Sequence, residues 1–283
     1  MEALKSLRLP APAKLNLMLR IVGRRDDGYH LLQTVFQFLD HCDWIRLHPR
    51  GDGRIHRATP LPGVPEEMDL TVRAARALQE VSGIACGVTI EIEKNLPLGG
   101  GLGGGSSDAA TTLHGLNRLW RAGLSIDELA EVGLRLGADV PVFVRGRSAW
   151  AEGIGEVLVP LELPEPWYVV VVPDCQVATG RVFAAPGLTR DNKPIKIADF
   201  LAGQQENHCL PVVAGWYPEV GSAMSALSRF SPAKLTGTGA CVFAEFSLES
   251  EAREVAAILA GAWRTFVARG INRSPLLRAL EGA

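Results

Sequence analysis

Neither sign of charge dominates this sequence: 29 lysines and arginines stand against 31 aspartates and glutamates, a net charge of −2. A chain so near neutrality lacks the cationic field that sequence-independent nucleic-acid binding draws on, so no nucleic-acid partner is expected. Long apolar runs are missing as well. The run Trp167–Val172 falls far short of the roughly 20 residues that cross a bilayer, so no membrane-spanning helix is expected. The opening MEALKSLRLPAPAK has no apolar block followed by a small-residue cleavage site, and no secretory signal is expected. Cysteine is scarce: five residues, odd in number, scattered and without a C-x-x-C pair, fit neither a disulfide framework nor a zinc site. Reduced thiols in the cytoplasm are the expectation. Internal repeats, low-complexity tracts and long charge runs are absent too.

What remains is ample for a buried core. The chain has 283 residues, 47% of them apolar and 21% charged, a length that suits one large domain or two ordinary ones. Turn-forming residues concentrate at 49–65, 97–107 and 160–166. The last of these contains LELPEP, a proline-interrupted connection of the kind that joins domains, which predicts domains over residues 1–160 and 161–283.

Alternation and apolar runs predict strands over Leu15–Val22 and Thr34–Leu47, with Asp26, Asp27 and Gly28 as turn material between them. Leu70–Val81 carries apolar residues at helical spacing, and Val88–Glu93 alternates as a half-buried strand. Ser125 with Glu128 is a capping-box pattern opening a helix to Leu136, which Gly137 is placed to stop. Asp139 then falls just past a helix end, before an apolar run, Val140–Val144, that reads as a strand. In the second domain, strands are expected at Tyr168–Val172 and Cys241–Phe246 and a helix over about Ala252–Trp263. Strands and helices mix without regular βαβ alternation, so the fold class is α+β.

The most informative stretch runs from Pro97 to Trp120. Six glycines fall within seven positions, Gly99, Gly100, Gly101, Gly103, Gly104 and Gly105, and a helix follows at once. Glycine lets a ligand approach the main chain, and Ser106, Ser107 and Asp108 suit the cap and first turn of that helix. Amides at such an end, aided by the helix dipole, bind phosphate, and a nucleoside triphosphate is the natural ligand. A flexible exposed loop has the same composition. Here, however, a strand precedes the loop and an amphipathic helix with Leu113, Leu116 and Leu119 on one stripe follows it, so both ends are held. Gly99, Gly101 and Gly104 satisfy G-x-G-x-x-G, but no acidic residue ends a second strand about 20 residues on, as a dinucleotide fold requires. The G-x-x-x-x-G-K-[ST] pattern of P-loop enzymes is missing.

Four blocks in order along the chain carry a resemblance: PAKLNLMLRIVGRRDDGYHLLQTVFQFLD (Pro12–Asp40), the loop Pro97–Asp108, GADVPVFVRG (Gly137–Gly146) and LTGTGACVFAEF (Leu235–Phe246). With them the chain resembles the GHMP kinase superfamily, and within it the branch acting on cytidine diphosphate methylerythritol in the non-mevalonate isoprenoid pathway. The resemblance implies a two-domain GHMP kinase fold with the active site in the cleft between domains, ATP as phosphoryl donor, and phosphorylation of the substrate's 2-hydroxyl. It implies Lys14 and Asp139 as the catalytic pair. A carboxylate can take the hydroxyl proton while an ammonium keeps it ionised and offsets developing charge.

Lys94, Pro97 and the loop through Ser106 and Ser107 are implied on the ATP side, and Asn16, Tyr29, His30 and Phe183 on the cytidine side. Taken alone, Tyr29 and Phe183 read as ordinary core or turn aromatics. Gly237 and Gly239 are implied at the substrate or phosphates, although either glycine singly fits a tight strand-entry turn as well. Asp69 stands where the family commonly has asparagine and has no amide donor for adenine. Mg2+ is expected to arrive with ATP on phosphate oxygens, water and at most one hydroxyl of the Ser106 and Ser107 pair; no ligand set is marked for it. His41, His48, His56, His114 and His208 have no metal-ligand spacing. A monomer or homodimer fits equally. Competing readings are a GHMP kinase for homoserine or mevalonate, a non-catalytic nucleotide-binding module, and a nicotinamide dehydrogenase.

Overall fold

The computed structural model describes residues 6–282. The first five residues, with which the N-terminal stretch tested for a signal begins, and Ala283 lie outside the described residues. Among the described residues ten strands form one mixed sheet: β1 (Leu7–Arg24), β2 (His30–Arg50), β3 (Ile55–Arg57), β4 (Gly87–Glu93), β5 (Ala149–Glu152), β6 (Val157–Pro160), β7 (Trp167–Val172), β8 (Lys234–Leu235), β9 (Val242–Phe246) and β10 (Arg264–Ile271). The helices are α1 (Leu70–Ser82), α2 (Gly104–Leu119), α3 (Ile126–Leu136), α4 (Val140–Arg145), α5 (Thr179–Ala184), α6 (Ile197–Leu201), α7 (Leu210–Trp216), α8 (Pro218–Leu227), α9 (Glu249–Leu259) and α10 (Pro275–Glu281).

The expected strands and helices are present save one, several of them longer than the sequence pattern marks, while the helix expected to reach Trp263 ends at Leu259. β1 and β2 form a long antiparallel hairpin turned at Asp26–Gly28, where Asp27 Oδ1 accepts the Tyr29 amide at 3.1 Å. Residues Leu9–Leu19 are buried without a break, so β1 is covered on both faces and reads as a run rather than an alternation. Both halves of the capping box at Ser125 and Glu128 are made, and Gly137 ends α3.

One element differs in type. Val140–Val144 belongs to α4, not to a strand. Five consecutive apolar residues carry no periodicity that separates a strand from a buried helix. Pro141 decides, because its fixed φ suits a first helical turn and its missing N–H would break a ladder. Asp139 therefore stands at the N-terminal end of α4, where the helix dipole favours its charge.

Three apolar clusters hold the architecture. One packs α1, α2, α3 and α4 onto β2 and β4 through Phe36, Phe38, Leu113 and Phe143. A second lies under α7, α8 and α9, around Val171, Val213 and Val242. The third, with Leu15, Met18, Leu102, Tyr168 and Phe243, joins the two. β10 crosses between the halves, pairing with β7 over Arg264–Arg269 and with β2 at Gly270 and Ile271. α10 then packs on β1.

Candidate active site

Lys14 and Asn16 lie two residues apart on β1, so their side chains share one face. Register shifts between Pro12 and Lys14 and between Asn16 and Met18 bracket the pair, and such bulges re-aim side chains beside functional sites. The buried Lys14 Nζ donates to Asn16 Oδ1 at 2.5 Å and to the Gly101 carbonyl at 2.9 Å, and Asp139 Oδ2 lies 3.4 Å away. An ammonium has three donors, and these three oxygens match them. Asn16 is fixed in turn by its Nδ2 donating to Thr34 Oγ1 at 2.8 Å and by its backbone N–H donating to Thr236 Oγ1 at 3.0 Å. Asp139 keeps 36% of its side-chain surface exposed, so the carboxylate is paired yet reachable.

The glycine loop wraps this lysine. Lys14 N donates to the Leu102 carbonyl at 3.0 Å, and Cys241 N to the Gly100 carbonyl at 3.1 Å, so the loop is sewn to both halves of the molecule. Gly103 precedes α2 with φ 73°, and a Cβ there would lie 2.7 Å from the Phe143 ring and 3.0 Å from Lys14 Cε. Its bare Cα is what brings the start of α2 against the lysine. The cap of α2 is thus Gly103, with Ser106 and Ser107 one step further into the first turn. The first amides of a helix have no intrahelical acceptor and face an incoming anion.

Gly101, at φ 77°, leaves no room at all: a Cβ would fall 2.2 Å from the Thr236 carbonyl oxygen. Gly101→Ala is expected to cost about 1–3 kcal/mol for the left-handed backbone alone, with the clash in addition, and to displace the carbonyl that holds Lys14. Chemical denaturation reads the stability loss, and unaltered stability would contradict it.

Lys94 reaches the same cavity but is not a free cation. Its Nζ donates to Asp43 Oδ2 and, at 2.8 Å, to Asp108 Oδ2. Burial works against the ammonium, yet Asp108 and Asp43 outweigh it and hold its pKa above the ordinary value. Asp43 Oδ1 also accepts the Asn95 and Leu96 amides at 2.6 and 2.8 Å. The cluster thereby ties β2, the end of β4 and α2 into one unit beneath the loop. Asp108 is buried; burial, eased by Lys94 and aggravated by Asp43, pushes its carboxyl up to about 7. Asp69 acts elsewhere: Oδ1 caps α1 by accepting Thr71 N at 2.8 Å, and Oδ2 pairs with buried Arg57 at 2.7 Å. Both of its oxygens are engaged away from the cavity.

Two cavities form a continuous groove. The first, about 470 Å³, is lined by Lys14, Asn16, Lys94, Pro97, Gly99, Gly100, Gly101, Gly103, Gly104, Gly105, Ser106, Asp139, Phe183 and Gly237. The second, about 620 Å³, is lined by Arg24, Tyr29, His30, Phe183 and Arg190, and it shares Leu32, Ala138, Ile154, Thr179 and Phe183 with the first. Ser107 and Gly239 line neither cavity. Ser107 Oγ is buried with no hydrogen-bond partner among the described residues, and Gly239 is packed near Leu235 and Val213. Tyr29 is exposed at the hairpin tip, while the His30 and Phe183 rings stack 5.0 Å apart. All five cysteines are free thiols, and among the described residues no group of three or more His, Cys, Asp or Glu is placed to hold a metal ion.

Thr34, Thr236, Asp43 and Arg190 are site residues with no local sequence signal. Each is a common polar residue whose partner lies far off along the chain: Thr236 meets Asn16, and Arg190 meets His30.

Comparison with known proteins places this arrangement. Residues 69–147 match the GHMP kinases N terminal domain and residues 188–265 the GHMP kinases C terminal. The chain is 61% identical to the 4-diphosphocytidyl-2-C-methyl-D-erythritol kinase of Methylococcus capsulatus, over 98% of this chain and 95% of that protein. It belongs to the GHMP kinases, among the 4-diphosphocytidyl-2-C-methyl-D-erythritol kinases. A crystal structure of 4-(cytidine 5'-diphospho)-2C-methyl-D-erythritol kinase superposes with a TM-score of 0.81 at 33% identity, covering 93% of this chain and 99% of that one. A mevalonate kinase structure at 16% identity and TM-score 0.71, covering 94% and 100%, shares the fold. GHMP kinases take ATP as phosphate donor, and the glycine-rich stretch of this kinase lies within the matched N-terminal domain.

Proposed function

We propose that this kinase transfers the γ-phosphoryl group of ATP to the 2-hydroxyl of 4-diphosphocytidyl-2-C-methyl-D-erythritol, a step of the non-mevalonate isoprenoid pathway. The observation that carries the reading is one groove with the Lys14 and Asp139 pair and the glycine loop at one end, and Tyr29, His30 and Phe183 at the other. That spacing suits an alcohol joined to a nucleoside through a diphosphate.

Asp139 takes the proton of the attacking hydroxyl as its oxygen closes on the γ-phosphorus and the bond to ADP breaks. Lys14, anchored by Asn16 and Gly101, pairs with that carboxylate and faces the developing negative charge. The amides of Gly104, Gly105 and Ser106 receive the phosphates, since transfer of this kind depends mainly on positioning and electrostatics. Bound Mg2+ would neutralise phosphate charge; Ser106, which lines the cavity at the start of α2, would offer it a hydroxyl. Tyr29 and Phe183 supply aromatic faces for the base.

Lobes over residues 1–160 and 161–283, a cytoplasmic location and a monomeric or homodimeric state complete the proposal. Among the described residues no helix is long and apolar enough to cross a membrane. A coupled ADP-release assay should give turnover with the cytidine diphosphate alcohol and none above background with mevalonate or homoserine. Turnover with either of the latter instead would replace the substrate named here.

A further inference from the structure

The far end of the groove holds a histidine whose protonation pattern is dictated by a neighbour. Arg190 follows α5, and its guanidinium is immobilised by three carbonyls: Leu188 at 2.9 Å from Nη1, and Phe183 and Ala185 at 2.9 and 2.6 Å from Nη2. With the fork held, Nε points at His30 and donates to its Nε2 at 3.0 Å. A guanidinium has no lone pair to offer, so Nε2 must be the acceptor and the ring proton must sit on Nδ1. Burial, Arg190 and Arg24 all lower the His30 pKa, which keeps the ring neutral. Phe183, stacked at 5.0 Å and 23°, fixes the ring plane. Among the described residues no hydrogen bond engages Nδ1, so its N–H is the donor left for a ligand.

We propose that Arg190 is a positioning residue that locks His30 as the Nδ1–H tautomer and so sets the preference for cytosine over uracil. An imidazole free to choose could present either a donor or an acceptor; this one presents only a donor. The N3 atom of cytosine carries a lone pair and accepts that donor, whereas N3 of uracil carries a proton and leaves two donors facing each other. The inference rests on the proposed cytidine substrate but concerns base recognition, not phosphoryl transfer.

The test therefore uses the full chain with CDP and UDP as probes and requires no turnover. In the wild-type protein at pH 8, imidazole ¹⁵N resonances are expected to show a protonated Nδ1 and an unprotonated Nε2 at His30, and calorimetry should show CDP binding about 10-fold or more tighter than UDP. In Arg190→Ala the ring should shift toward the Nε2–H form, CDP should weaken about 10-fold, and the ratio should approach one. Wild-type protein with Nε2 protonated, or with equal affinity for CDP and UDP, overturns the proposal, and neither measurement needs the variant to fold. Equal weakening of both nucleotides in Arg190→Ala assigns Arg190 a merely structural role and overturns it as well. CDP preference without ADP release would instead overturn the kinase substrate and leave this inference standing.

Discussion

Asp139→Asn is expected to lower kcat by about 100-fold or more while leaving ATP affinity nearly unchanged, the scale set by losing a positioned proton acceptor. The substitution keeps the shape of the side chain and removes its basicity. Lys14 keeps Asn16 Oδ1 and the Gly101 carbonyl as partners, so the ammonium stays in place and the loop is not disturbed. The remaining exposure of Asp139 allows a hydroxyl to reach it, which a fully buried ion pair would forbid. Steady-state kinetics with calorimetric ATP titration separates the two quantities. Turnover near the wild-type value would remove Asp139 from proton transfer, and a parallel loss of ATP affinity would mean that it shapes the loop instead.

Lys94→Met should have the largest effect on stability, about 3–5 kcal/mol, because deleting one member of a buried ionic cluster strands the others. Asp43 and Asp108 would face each other without the ammonium between them. The sign of the pH dependence follows. Asp108 already has its carboxyl pushed up to about 7 with Lys94 present, and removing the cation raises it further. A carboxyl whose folded pKa exceeds its unfolded value costs nothing while both states are protonated, below about 4, and costs progressively more as pH rises toward the folded pKa. Chemical denaturation should therefore show a larger deficit for Lys94→Met at pH 8 than at pH 5. A variant as stable as the wild type at pH 8 would show that Lys94 does not neutralise the cluster. A lysine expected to contact ATP thus acts first on the ground beneath the loop, and any loss of ATP affinity in this variant is to be weighed against that.

The element pattern is largely legible in the sequence because it is written in local periodicity and punctuation. Gly28 at the hairpin, the Ser125 capping box and Gly137 after α3 each act within a few residues of themselves. Val140–Val144 reads as a strand and folds as a helix since a short apolar run has no period, and the same ambiguity hides that Asp139, just past the end of α3 as expected, also opens α4. Asp69 is legible as a departure, but its engagement with Arg57 and Thr71 requires the fold.

By itself the sequence determined the α+β class, the held glycine loop, the kinase family through its ordered blocks, and the residue types able to move a proton. Only the tertiary structure decided which charges meet: Lys14 with Asp139 across the loop, Lys94 between two aspartates, and Arg190 on His30. The reason is physical. Turns, caps and apolar stripes depend on neighbours in the chain, whereas the pairing of buried charges depends on which distant backbone segments the sheet and its three apolar clusters bring within about 3 Å, the reach of a hydrogen bond.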